Sequence, residues 1–80
     1  MRFTMRHFIV VFQNTTCNRR DVTEVYAKTI NDVIPYVYGE KLYPWDDRTL
    51  VIPKSWPILK IREIIWNGKS FDEGEIWVRT

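Results

Sequence analysis

Cys17 and His7 are the only thiol and the only imidazole in the chain, and they bound the chemistry it can carry. A thiol activated by an imidazole is a possible nucleophile. Here nothing nearby in sequence supplies a third group to orient the imidazole, so Cys17 reads as a loop bystander. Zinc needs several Cys or His ligands, and one of each falls short. Two acidic groups, Asp46-Asp47 and Asp72, Glu73 and Glu75, could hold a hard cation. Acidic residues in polar turns are more simply solvated. The three glycines, Gly39, Gly68 and Gly74, lie far apart, so no phosphate-cradling loop forms. No catalytic, metal or cofactor site is expected, and the chain reads as a non-enzyme.

Binding is the remaining class. Tyr43, Trp45 and Trp56 are large rings in a segment punctuated by Pro44, Pro53 and Pro57, with Asp46, Asp47 and Arg48 beside them. Trp and Tyr concentrate at the energetic centres of protein interfaces. These six residues are the expected partner-binding set, against the alternative that the rings fold back to complete a small core. A second set, Arg2, Arg6, Arg19, Arg20, Lys60 and Arg62, would serve a nucleic-acid-binding protein, with aromatic rings available for stacking on bases. Net charge is only +2, and ten acidic residues are interspersed among twelve basic ones. That is thin for a dedicated nucleic-acid binder.

The elements that position these residues follow from the hydrophobic pattern. Eighty residues hold one core, so 1–80 is a single domain. Aromatics at 15% supply much buried area per residue, which suits a small core. Phe8 to Phe12 is apolar on both faces and reads as a central strand. A polar turn over 14–20 leads to a second strand over 21–28. Ile30, Val33, Ile34 and Val37 recur at helical spacing, which predicts a helix over roughly 31–42 with an irregular start at Pro35. Gly39 weakens it and Pro44 ends it. Leu50-Val51-Ile52 could pair briefly as an edge strand. Residues 58–66 form a strong strand, Asn67-Gly68 a hairpin turn, Asp72-Glu73-Gly74 a second turn, and 75–79 a last short strand.

The expected architecture is α+β, order β-β-α-β-β, with one helix packed on an antiparallel sheet of about four strands. A β-grasp arrangement, with first and last strands adjacent and parallel, is the alternative. A sheet with one free face can also bury it against a second copy, so a homodimer is open. The longest apolar run, Phe8–Phe12, is far shorter than the ~20 residues a spanning helix needs, so no membrane span is expected. The basic residues before it lack a secretory cleavage pattern, and a single Cys fits a reducing cytoplasm. Asn14-Thr15-Thr16 matches a glycosylation sequon and reads as chance in that setting.

The strand Phe8–Asn14, the hairpin return, the short helix around Asn31–Val37 and the closing hairpin from Ile58 resemble the layout of small bacteriophage proteins. Some type I anti-CRISPR inhibitors are similar in size and element order. The likeness spans most of the chain and departs at the proline-rich connection. It implies a non-enzymatic protein that docks on a host or defence complex. It carries over no functional residue.

Overall fold

The computed structural model describes residues 5–41 and 50–79. Two antiparallel hairpins form the framework. Strand β1 (Arg6–Asn14) pairs with β2 (Arg19–Ala27), and β3 (Ile58–Trp66) pairs with β4 (Phe71–Val78). The hairpins join through β1 and β3, so the sheet runs β2-β1-β3-β4 and is antiparallel throughout. The architecture is therefore α+β with the element order the pattern implies. The β-grasp alternative is excluded, because β1 lies beside antiparallel β3 and β4 lies at the edge.

Both hairpins turn on an asparagine. The Asn14 Oδ1 accepts from the backbone N–H of Thr16 and of Cys17, each at 3.0 Å. The Asn67 Oδ1 accepts from Lys69 and Ser70, each at 2.9 Å. A side-chain carbonyl two or three residues upstream imitates a backbone turn and satisfies two amides at once. Asn18 (φ 54°) and Gly68 (φ 97°) supply the left-handed conformations these turns require. Asn14 is itself buried, which leaves the sequon side chain engaged within the fold.

Between the hairpins, a 3-10 turn at Ile30–Asp32 runs into α1 (Val33–Val37). The helix is shorter than the periodicity predicts. Gly39 (φ 75°) stops it: Glu40 N–H reaches the Pro35 carbonyl at 2.8 Å and Gly39 N–H reaches Tyr36 at 3.2 Å. That pair of bonds is a Schellman closure with Gly39 as its left-handed residue. Val33 and Val37 face the sheet and are fully buried.

The core lies between this segment and one face of the sheet. Phe8, Val10 and Phe12 of β1, Val25 and Ala27 of β2, and Ile58 and Ile61 of β3 meet Ile30, Val33, Val37 and Ile52. Leu50-Val51-Ile52 does not form a strand. One backbone bond, Ile52 N–H to Val37 carbonyl at 3.0 Å, holds Ile52 in the core while Leu50 and Val51 face outward. The last strand is longer than expected. Asp72-Glu73-Gly74 sits inside β4 as a register shift opposite Arg62–Ile64, not as a turn. Cross-strand pairing of Phe71 with Trp66 and Asp72 with Ile65 overrides the local turn preference.

Candidate protein-docking site

Strand alternation sends successive side chains to opposite faces, and paired residues share a face. With Phe8, Val10 and Phe12 inward, the register places His7, Ile9, Val11 and Gln13 on the outer face. Tyr26, Glu24, Val22 and Arg20 flank them on β2. Ile64, Arg62 and Lys60 lie alongside on β3, followed by Glu73, Ile76 and Val78 on β4. No described element covers this face. Val22, Tyr26, Ile76 and Val78 are all exposed on it.

The aromatic end of the face is its most distinctive part. Trp66 and Phe71 are cross-strand partners just before the Asn67 turn, with ring centroids 5.0 Å apart. They remain 58% and 63% exposed, so the pair is not part of the core. At the head of β1 their bases border a notch of about 410 Å³, lined also by Met5, Arg6, His7, Glu63, Ile64 and Ile65. The His7 ring stacks on Tyr26 at 4.6 Å and 11°, and its Nε2 lies 3.7 Å from a Glu24 carboxylate oxygen. An apolar notch rimmed by rigid rings is the geometry that accepts a partner's anchoring side chain.

A charge knot closes the floor of the notch. Glu63 is turned to the core face of β3 and is buried. Arg6 Nε donates to Glu63 Oε2 at 2.7 Å, and Nη2 donates to Glu63 Oε1 at 2.9 Å and Glu75 Oε1 at 2.7 Å. Glu75 N–H adds a bond to Glu63 Oε1 at 3.2 Å. The guanidinium also lies over the Phe8 ring at 5.2 Å. The bonds from Arg6 hold the Glu63 carboxyl below its ordinary value even though burial pushes the other way. The bonds to Glu63 and then Glu75 raise Arg6 above the ordinary arginine range.

The residues singled out from sequence distribute as follows. Tyr43, Trp45, Asp46, Asp47, Arg48 and Arg2 lie outside the described residues. Trp56 is half-buried: its ring stacks on core residue Phe12 at 5.9 Å and 10°, and its carbonyl accepts from the Tyr38 hydroxyl at 2.7 Å. That placement is the core-completing alternative for this ring. Of the basic set, Arg20, Lys60 and Arg62 share the outer face. Arg6 and Arg19 lie on the other side of the sheet, Arg6 in the knot and Arg19 paired with Asp21 at 3.2 Å. Cys17 is exposed in the first turn, and His7 is near the opposite end of β1, some seven strand positions or roughly 24 Å away. Among the described residues no group of three His, Cys, Asp or Glu could hold a metal ion. Asp72, Glu73 and Glu75 bond instead to Asn67, Arg62 and Arg6 respectively. No helix of the described residues is long and apolar enough to cross a membrane.

Trp66 and Phe71 escaped sequence reasoning. Either ring alone reads as one more apolar strand residue. They pair across the four-residue loop 67–70, whereas a two-residue Asn67-Gly68 turn would set Trp66 opposite Lys69, so the turn signal locates the hairpin without finding the pair. No protein-family model matches the chain, and comparison with curated proteins and with solved structures finds no match.

Proposed function

We propose that this chain is a non-enzymatic protein-binding module that docks through the Trp66–Phe71 end of its open sheet face. The observation that carries the reading is the pair of touching, majority-exposed rings beside an apolar notch. Exposed aromatic rings cost solubility and contribute nothing to this core, while rings of this kind dominate binding energy at interfaces. Tyr43, Trp45, Asp46, Asp47 and Arg48 are the second expected contact, carried by residue type alone. The resemblance to phage inhibitors supports a finer reading, in which the chain occludes a working surface of a host or defence complex in the bacterial cytoplasm.

Two experiments test this. The immobilised chain and its W66A/F71A variant are compared for capture of a protein from bacterial lysate, with thermal melts of both. Loss of capture at an unchanged melt is expected; undiminished capture would remove the docking assignment. For the inhibitory reading, phage targeted by a type I CRISPR system are plated on cells with and without the chain. Equal plaque counts would end the anti-CRISPR reading.

A second reading rests on Arg20, Lys60 and Arg62 sharing the outer face with Tyr26, Trp66 and Phe71. Open antiparallel sheets with such side chains bind single-stranded nucleic acid. That reading predicts a gel shift that weakens steeply with salt. No shift at low salt would exclude it.

A further inference from the structure

The two edges of the sheet are built differently. Edge strand β4 carries a register shift and three carboxylates, Asp72, Glu73 and Glu75. These are devices that discourage another strand from adding. Edge strand β2 has neither proline nor glycine, its register against β1 is continuous over nine residues, and its charged residues, Arg19, Arg20, Asp21 and Glu24, are of both signs, where those named on β4 are all acidic. Among the described residues no strand pairs with the outer edge of β2. An edge strand without proline, glycine or a bulge is the one able to accept a further strand.

We propose that β2 pairs with β2 of a second copy of this chain, antiparallel about a two-fold axis at Val22, to make a continuous eight-stranded sheet. The charge pattern of the strand selects this occupant. A two-fold that keeps both cores on the same side of the joined sheet must pass through a residue, so that opposed positions share a face. With the axis at Val22, Arg20 of each copy faces Glu24 of the other on the outer face, and Val22 faces Val22. On the core side Asp21 faces Thr23, whose hydroxyl can donate to the carboxylate. Centred at Asp21, the strands would set Asp21 against Asp21. Centred at Thr23, they would set Asp21 against the buried Val25 and leave Glu24 opposite Val22. Of these three registers only the one at Val22 forms the two Arg20–Glu24 pairs and sets no like charges together; Arg19 then falls opposite Val25 but keeps Asp21 of its own chain at 3.2 Å.

The surroundings fit. Val22 is 65% exposed, and Arg20 makes no ion pair among the described residues. Glu24 is largely exposed, with a carboxylate oxygen 3.7 Å from His7 Nε2. Asp21 and Thr23 are half-buried, whereas Val25 and Ala27 are covered by the core, so the axis falls on the part of β2 clear of the helix. The inference does not depend on the docking reading above, which uses the opposite end of the sheet.

The test is a concentration series of the full chain by sedimentation equilibrium. A reversible dimer that weakens as salt rises is expected, since the ion pairs lie at the surface. R20E and E24R each set like charges together twice per dimer and should weaken it at least tenfold. The combined R20E/E24R swap should restore it. A chain monomeric up to about 1 mM, or a dimer indifferent to the single reversals, would overturn the proposal. Register is read separately in a Cys17→Ser background, which does not rely on the charge variants folding. Val22→Cys should cross-link readily on oxidation, because directly opposed Cβ atoms lie about 5 Å apart. Thr23→Cys should cross-link poorly; equal or faster cross-linking at 23 would overturn the register.

Discussion

Arg6 and Glu63, 57 positions apart in sequence, form a bidentate pair at 2.7 and 2.9 Å that ties the first strand to the third beneath the notch. A carboxylate buried this far needs its partner. Removing the guanidinium strands a charge, whereas replacing both groups with apolar ones removes the need. Arg6 retains 30% side-chain exposure, so solvent offsets part of the loss. Arg6→Ala should destabilise by about 2–3 kcal/mol, less than a fully buried pair would lose. The double change Arg6→Met with Glu63→Leu should cost less than Arg6→Ala alone. Urea unfolding midpoints of the three chains decide it.

The same pair sets an acid limit. The folded-state pKa of Glu63 lies below its ordinary 4.5, chiefly through the bonds from Arg6. A depressed carboxyl contributes stability that is fully present above the ordinary value. That contribution is lost as pH falls from about 4.5 through the folded value. Glu63→Gln should flatten the decline. Thermal melts from pH 7 to pH 2 on both chains measure the difference.

Gly39 is constrained twice. Its φ of 75° is left-handed, and a Cβ there would lie 2.8 Å from Val51 Cγ1. Gly39→Ala should cost more than about 1 kcal/mol, combining backbone strain with the contact. Gly68 also has positive φ but open space around it, so Gly68→Ala should cost backbone strain alone. Paired denaturant titrations separate the two.

Tyr38 joins the helix end to β3 through its hydroxyl, donating to the Trp56 carbonyl at 2.7 Å and accepting from Ile58 N–H at 3.3 Å. Tyr38→Phe leaves both backbone groups short of a partner and should cost about 1–2 kcal/mol. Amide hydrogen exchange at Ile58 should speed up in the variant. Unchanged protection there would show that water replaces the hydroxyl.

The tryptophans should separate by role. Trp56→Ala removes a ring stacked on Phe12 and should destabilise by about 2–4 kcal/mol, reduced from a fully buried ring. Trp66→Ala and Phe71→Ala remove exposed rings, each expected to change stability by less than about 1 kcal/mol. Thermal melts rank them directly. A large loss at Trp66 would mean that the aromatic end of the sheet is structural.

Sequence alone determined the strands of β1 and β3, both hairpin turns and the β-β-α-β-β order, because these depend on residue type and spacing within a few positions. Asn67-Gly68 marks a hairpin reversal by residue type alone, although the loop it opens runs over 67–70. Tertiary structure decided what local pattern cannot reach. Whether Gly39 weakens a helix or ends it depends on the bonds its neighbours make behind it. Whether Asp72-Glu73-Gly74 turns or extends depends on a strand ten residues away that offers it hydrogen bonds. A glutamate in the middle of β3 is buried only because Arg6, at the start of the neighbouring β1, meets it on the same face, and no sequence window spans that distance. The rings divided in the same way. Trp56 went to the core and Trp66 to the surface, although both are tryptophans near the ends of strands, because the sheet has two faces and the helix covers only one.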